Sequence, residues 1–247
     1  MSVARLAELV REAQPCLVLT GAGVSTESGI PDFRSPSGIW KQFDPLEYGS
    51  LDAFRADPEK VWRFYGPRFG MLASAEPNHA HRALAELEEL GFVNAVVTQN
   101  IDLLHERAGS RDVVEVHGSI ATCTCPRCGT TCRLADVLAQ LEDDAEAPRC
   151  PACGAILKPD VVFFGELLPT AAIDRAYALA REARLCLVVG SALEVYPVAE
   201  LPLETLRAGG RIAIVNRGPT ALDARAELRV EGGAGDTLAA LVEELRG

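Results

Sequence analysis

The residues of this chain that could do chemistry fall into a few tight groups. Residues 20–40 read TGAGVSTESGIPDFRSPSGIW and follow the apolar run Cys16–Thr20 (CLVLT). An apolar, β-branched run ending in Gly21-Ala22-Gly23 has the pattern of a buried strand turning into a helix. At such a turn small residues let an anion reach backbone N–H groups, aided by the helix dipole. The spacing departs from G-x-G-x-x-G, because no third glycine follows until Gly29. Glu27-Ser28-Gly29-Ile30-Pro31-Asp32-Phe33-Arg34 instead reads as a loop that carries specific side chains.

Two further groups also follow apolar runs. Gln99-Asn100-Ile101-Asp102 places amides and a carboxylate on one turn, where they can hydrogen-bond hydroxyls and a carboxamide. His117 follows Val113–Val116 and is trailed by Gly-Ser, which makes it the best-placed of the four histidines for a general base near pH 7. His79, His81 and His105 fall at or near helix starts and read as structural or solvated. Cys16 and Cys186 lie inside apolar runs and read as core residues.

Six of the eight cysteines lie between 123 and 153. Cys125-Pro-Arg-Cys128-Gly and Cys150-Pro-Ala-Cys153-Gly are two C-x-x-C-G knuckles. The glycine after each pair permits the turn that aims two thiolates at one point. Four thiolates satisfy tetrahedral zinc with no position left open, so the site reads as structural, with a redox or disulfide pair as the alternative. Cys123 and Cys132 lie outside the knuckles and read as ordinary thiols.

Strands alternating with helices must position these groups. The pattern predicts helices over 3–13, 58–73, 79–90, 103–108, 171–182, 199–208 and 236–245. It predicts strands over 16–20, 94–98, 113–116, 185–189, 211–215 and 228–230. Residues 44–56 read as helical or irregular. Each strand ends in polar or glycine residues: Gly21–Gly23, Gln99–Asp102, His117, Gly190-Ser191 and Asn216. A doubly wound parallel α/β sheet binds ligands beyond the carboxyl ends of its strands, where these segments converge. Residues 120–156 break the pattern, with one helical piece over 134–141, and read as a zinc-binding insert in a domain formed by 1–119 and 157–247. A helical part from about 36–75 contributes to the smaller unit.

The 247 residues carry a formal net charge of −11, which argues against a nucleic-acid binder, and 48% hydrophobic residues, enough for a sizeable core. An acidic surface suits basic, lysine-rich protein segments. Residues 1–19 are charged throughout and no apolar run approaches the ~20 residues of a membrane span, so the expectation is a soluble, cytoplasmic chain.

GAGVSTESGIPDFR, TQNID, the His-Gly after a strand, the paired knuckles, VVFFGE, GSALEVYP and IVNRG occur in the order seen in the sirtuin family, which this chain resembles from about residue 16 to 236. That family comprises NAD-dependent protein lysine deacylases. The resemblance implies a Rossmann-like NAD domain, an inserted zinc module and an acyl-lysine peptide in the cleft between them. It implies that Gly21, Ala22 and Gly23 lie against the NAD phosphates and that Asp32, Phe33 and Arg34 cover the nicotinamide ribose. Gln99, Asn100, Ile101 and Asp102 would hold ribose and nicotinamide. Glu27, Trp40, Gly190, Ser191, Ala192, Asn216, Arg217, Gly218 and Ala234 would line the rest of the cofactor. Ala192 stands where family members usually have a hydroxyl residue. Val161, Phe163, Phe164, Gly165, Glu166, Leu193 and Val195 would clamp the peptide as added strands.

The implied mechanism has the acyl oxygen attack C1′ of the ribose and expel nicotinamide. His117, with Asn100 beside it as the second catalytic residue, then draws a ribose hydroxyl proton. That oxygen attacks the former carbonyl carbon and water completes the transfer, so free lysine and O-acyl-ADP-ribose result, and the zinc takes no part. Tyr65 and Arg68 resemble the Tyr-x-x-Arg pair of sirtuins that prefer acidic acyl chains, where an Arg fork and a Tyr hydroxyl bind a succinyl or malonyl carboxylate. Mono-ADP-ribosyl transfer to protein from the same NAD site is the rival activity. A non-catalytic NAD-binding or zinc-stabilised interaction module is the rival outside enzymes.

Overall fold

The computed structural model describes residues 3–32, 38–141 and 147–247. Phe33, Arg34 and part of the expected helical contribution from 36 therefore lie outside the described residues.

Nine strands occur among the described residues: β1 (Cys16–Thr20), β2 (Ala95–Thr98), β3 (Val113–Glu115), β4 (Gly118–Thr124), β5 (Thr131–Arg133), β6 (Lys158–Val161), β7 (Leu185–Val189), β8 (Arg211–Asn216) and β9 (Leu228–Glu231). Six form one sheet in the order β3-β2-β1-β7-β8-β9, and every pairing in it is parallel. The crossover from β3 to β7 puts the switch in strand order beside β1, where an open parallel sheet leaves a crevice at its carboxyl edge. Burial on both faces explains why β1, β7 and β8 read as continuous apolar runs rather than alternating ones. Val18, Val96, Leu187 and Ala213 pack with helices Val3–Glu12, His79–Glu89 and Ala234–Arg246. Leu17, Val97, Val188 and Ile214 point the other way, with helices Thr170–Glu182 and Leu201–Arg207.

The remaining three strands form an antiparallel sheet in the order β5-β4-β6, which the sequence pattern does not predict. It begins at Gly118, directly after His117, and ends at Val161, directly before Val162–Phe164. Its apolar side joins the Pro58–Ser74 helix in a separate core containing Trp62, Phe69, Ile120, Val137 and Leu157. The Trp62 indole N–H donates to the Leu157 carbonyl at 2.7 Å, fixing the helix to the strand. Pro67 sits inside this helix without ending it.

Candidate active site and zinc centre

The strand ends converge as the topology requires. They line one crevice of about 1170 Å³ between the parallel sheet and the smaller unit. Its walls include Gly21–Gly23, Asp32, Gln99–Asp102, His117, Gly190–Ala192, Asn216–Gly218 and Ala234 from the sheet side. Tyr65, Arg68 and Val161–Glu166 come from the other side. Leu193 is buried and is not part of the lining, whereas Glu194, Val195 and Tyr196 are.

The first turn is not an α-helix. Residues Ala22–Ser28 form 3₁₀ turns closed by Gly29 at φ +82°. Gly23 N–H donates to the Gly190 carbonyl at 2.9 Å, and a Cβ on Gly23 would stand 2.8 Å from the Gly190 Cα. Gly190 itself has φ +62° and no room for a Cβ, which would stand 2.4 Å from Val24 N. These glycines are thus required where the β1 and β7 loops meet backbone to backbone, beside any ligand contact they make.

Glu27 ties this turn to the last helix. The Glu27 carboxylate accepts the Gly235 N–H at 3.2 Å, at the N-terminus of Ala234–Arg246, where a negative charge meets unpaired N–H groups. Glu27 therefore joins two elements across the crevice edge. Asn216 likewise organises its own loop, donating to the carbonyls of Arg217 (3.0 Å) and Gly218 (3.1 Å).

His117 Nδ1 lies 3.0 Å from the Gln99 carbonyl. A carbonyl can only accept, so this contact places the proton on Nδ1 and the lone pair on Nε2, the tautomer a general base needs. Gln99 is itself held, its amide N–H groups donating to Ser191 Oγ (3.0 Å) and the Thr20 carbonyl (3.3 Å). Asn100 is buried and donates to the Gly21 carbonyl (3.2 Å) and to Ser25 Oγ (3.0 Å). Both Asp102 oxygens are engaged, one accepting from Ser25 Oγ at 2.7 Å and the other from Leu104 N–H at 3.0 Å.

Beneath these residues lies a polar network that sequence reasoning missed. Ser25 donates to Asp102, so His81 Nε2 at 3.3 Å must donate to Ser25. Consistently, His81 Nδ1 accepts the Asn78 N–H at 3.3 Å as half of a capping box. His105 Nε2 meets Thr20 Oγ1 at 2.9 Å, and the two imidazoles pack edge to face at 4.9 Å. Burial depresses both: His81 to about 4, partly offset by Asp102, and His105 to about 3, reinforced by His81. The detectable signal was the Asn78-x-x-His81 cap. The pairing of His81 with Ser25, 56 residues away, has no trace in local sequence.

On the opposite wall Tyr65 stacks on Phe163 at 5.5 Å and on Phe69 at 5.2 Å. Burial raises its phenol pKa. The Arg68 guanidinium lies 3.7 Å from the Phe64 ring centroid and donates to the Phe64 carbonyl. No carboxylate pairs with it among the described residues, and partial burial lowers its pKa against the pull of Tyr65. Trp40 packs between Phe64 (6.1 Å) and Phe164 (6.2 Å).

The expected strand clamp is narrower than the apolar run suggests. Val162 N–H donates to His117 O (2.9 Å), Phe164 N–H to Gly49 O (2.8 Å) and Phe163 N–H to the Glu166 carboxylate (2.8 Å). These three donors are spent inside the chain, and the Phe163 and Phe164 carbonyls accept in turn from Glu166 N–H (3.0 Å) and Leu51 N–H (2.9 Å). The Glu166 carboxylate faces back into its own loop.

The four cysteines Cys125, Cys128, Cys150 and Cys153 bring their sulfurs within 4.8 Å of one another. Cys125–Cys153 and Cys128–Cys150 approach to 3.5 and 3.6 Å. Tetrahedral zinc with four sulfurs at ~2.3 Å sets the sulfurs roughly 3.8 Å apart, so this donor set fits one structural zinc. The knuckles are built alike. Gly129 N–H donates to Cys125 O and Gly154 N–H to Cys150 O, each at 2.9 Å, with φ of +75° and +72° at the two glycines. Cys123 and Cys132 face each other across β4 and β5, outside the cluster.

The architecture is a parallel α/β sheet with a four-cysteine cluster that fits zinc and a histidine on the wall of a shared crevice. Residues 21–197 match the family model described as the Sir2 family. A protein of Caldivirga maquilingensis named NAD-dependent protein deacetylase is 45% identical over 98% of this chain and 93% of its own length. One of Pyrococcus furiosus named NAD-dependent protein deacylase is 41% identical over 98% and 97%. A solved Sir2 histidine-to-alanine variant with a deacetylated p53 peptide and 3′-O-acetyl ADP-ribose superposes with TM-score 0.95 at 42% identity, covering 99% of this chain and 98% of that one. The chain belongs to the Sir2 family, whose members are also called sirtuins.

Proposed function

We propose that this chain removes acyl groups from protein lysines in an NAD-dependent reaction and releases the acyl group as O-acyl-ADP-ribose. Its curated relatives are named NAD-dependent protein deacetylases and deacylases, and NAD-dependent deacylation is the activity of this enzyme. The observation that carries the finer reading is His117, which lines the wall of the crevice and bonds the Gln99 carbonyl through Nδ1. The Sir2 neighbour holding an acetyl ADP-ribose supports the same product here.

The residues fit the cofactor. Gly21–Gly23 and Gly190 leave bare backbone at the crevice floor, and Asn216–Gly218 with Ala234 form its far end. Bound NAD supplies an electrophilic ribose carbon and a departing nicotinamide. The chain supplies the rest. Asn100 and Asp102, held by Ser25, keep polar groups at the reacting end in fixed orientation. His117 Nε2 takes the proton of a ribose hydroxyl, and Gln99 stabilises the resulting imidazolium through Nδ1–H. Asp32 lines the crevice beside these groups, while Phe33 and Arg34 lie outside the described residues. Cys125, Cys128, Cys150 and Cys153 would hold zinc beside β4 and β5, and four ligands would leave no open position for a reactant.

The acyl pocket includes acidic chains. Arg68, which pairs with no carboxylate among the described residues, and the half-buried Tyr65 hydroxyl, both on the crevice wall, supply the fork and donor that a succinyl or malonyl carboxylate needs. We place the division between NAD domain and zinc-bearing unit near residues 120 and 156, with the small sheet reaching a few residues past both.

Mass spectrometry of acetyl-, succinyl- and malonyl-lysine peptides, with and without NAD, tests this. Acyl loss is expected only with NAD. ADP-ribosylated protein without peptide deacylation would favour ADP-ribosyl transfer instead, and no NAD-dependent change at all would leave a binding module.

A further inference from the structure

Lys158 stands on β6 with its side chain only 17% exposed, paired at 3.0 Å with Glu166, which is 20% exposed. Its Nζ also donates to the carbonyls of Pro159 and Val161, each at 3.0 Å, and lies 4.5 Å from the Phe163 ring centroid. Glu166 closes the loop on itself. Its carboxylate accepts the Phe163 N–H at 2.8 Å, and its own N–H donates to the Phe163 carbonyl at 3.0 Å, around Gly165 at φ +85°. One ammonium therefore joins the end of the zinc-bearing sheet, the Phe163 ring and the turn Phe163–Glu166.

We propose that Lys158 and Glu166 form a latch that shapes this turn to receive the acyl-lysine peptide, which makes both of them positioning residues rather than substrate contacts. This rests on the deacylase reading above. Buried ion pairs seldom stabilise a fold more than apolar residues of the same volume would, whereas they do specify one geometry among several. Here that geometry is local to the peptide wall. The Phe163 ring, with the cation beside it, stacks on Tyr65 of the acyl pocket. Phe164 is tied to Gly49 and Leu51. Losing Lys158 leaves a poorly hydrated carboxylate that must turn to water and release the Phe163 N–H. The partners of Lys158 and Glu166 named above all lie within residues 158–166, so the effect is expected on peptide binding.

The test is steady-state kinetics of Lys158→Met, Glu166→Gln and the double variant, with an acetyl-lysine peptide and NAD varied in turn. Each single change is expected to raise the peptide KM about tenfold while kcat and the KM for NAD stay within about twofold. The double variant is expected to be no worse than the worse single, as for two halves of one device. Lys158→Arg should recover part of the loss. An unchanged peptide KM, a fall in kcat alone, or additive losses would overturn the latch. Glu166→Gln is nearly isosteric and keeps an acceptor for Phe163 N–H, so it carries the test if Lys158→Met loses zinc or unfolds. If the wild-type chain shows no NAD-dependent deacylation, the functional reading fails on its own. Fluorescence anisotropy of a labelled acetyl-lysine peptide then decides the latch, with weaker binding to Glu166→Gln expected and equal binding overturning it.

Discussion

The base proposed for this chain, His117, is held by an atom 18 residues earlier in the chain, the Gln99 carbonyl at its Nδ1. His117→Ala is expected to keep the fold and NAD binding, checked by circular dichroism and calorimetric titration, and to lose roughly 10²–10⁴ in kcat. Arg68 makes a separate prediction about the acyl group. Arg68→Met should cut desuccinylation by about tenfold or more and spare deacetylation, because only an acidic acyl chain carries a carboxylate for the fork to bind. Equal loss on both peptides would make Arg68 structural. His81 and His105 are buried neutral, with pKa values depressed to about 4 and about 3 from 6.5. The unfolded chain binds protons at these positions below pH ~6.5 and the folded chain does not, so stability is full above that pH and falls as pH drops toward 4. Thermal melts between pH 7.5 and pH 4, on the order of three pH units, should show this decline, and His105→Gln should flatten it. Sequence separated His117 from the other histidines through its place at a strand end. It did not show that His81 supports Ser25 and Asp102, because that contact exists only once β1 and β2 pair and the His79–Glu89 helix docks.

At the scale of elements, the strands of the large sheet were legible almost to the residue, since burial on both faces leaves unbroken apolar runs such as LCLVV at Leu185–Val189. The small antiparallel sheet was not. β4 is GSIATCT, β5 has three residues and β6 contains Pro159, so none carries an apolar alternation. Metal ligation and the Trp62 anchor hold them where hydrophobic patterning does not. Zinc removal should therefore act on this sheet first. A chelator or Cys150→Ser is expected to lower Tm by about 10 °C or more. Activity should fall with it, because β4 starts at Gly118 beside His117 and β6 leads into Val162–Phe164. Metal analysis should return one zinc per chain. The glycine turn was legible as a turn but for an incomplete reason. Gly190→Ala would set a Cβ 2.4 Å from Val24 N at φ +62°, and a loss of about 2–4 kcal/mol in stability is expected from urea melts.

For the whole molecule, the crevice sits where the parallel sheet changes direction and the zinc-bearing sheet closes over it. The two walls of the crevice thus come from separately packed cores. Among the described residues no helix is long and apolar enough to cross a membrane. The central claim is that each acyl group leaves lysine together with one NAD. Quantitative mass spectrometry of a single reaction with an acetyl-lysine peptide tests it most directly. Equal amounts of free-lysine peptide, nicotinamide and O-acetyl-ADP-ribose are predicted. Free acetate formed without nicotinamide, or nicotinamide released with the peptide still acetylated, would contradict it.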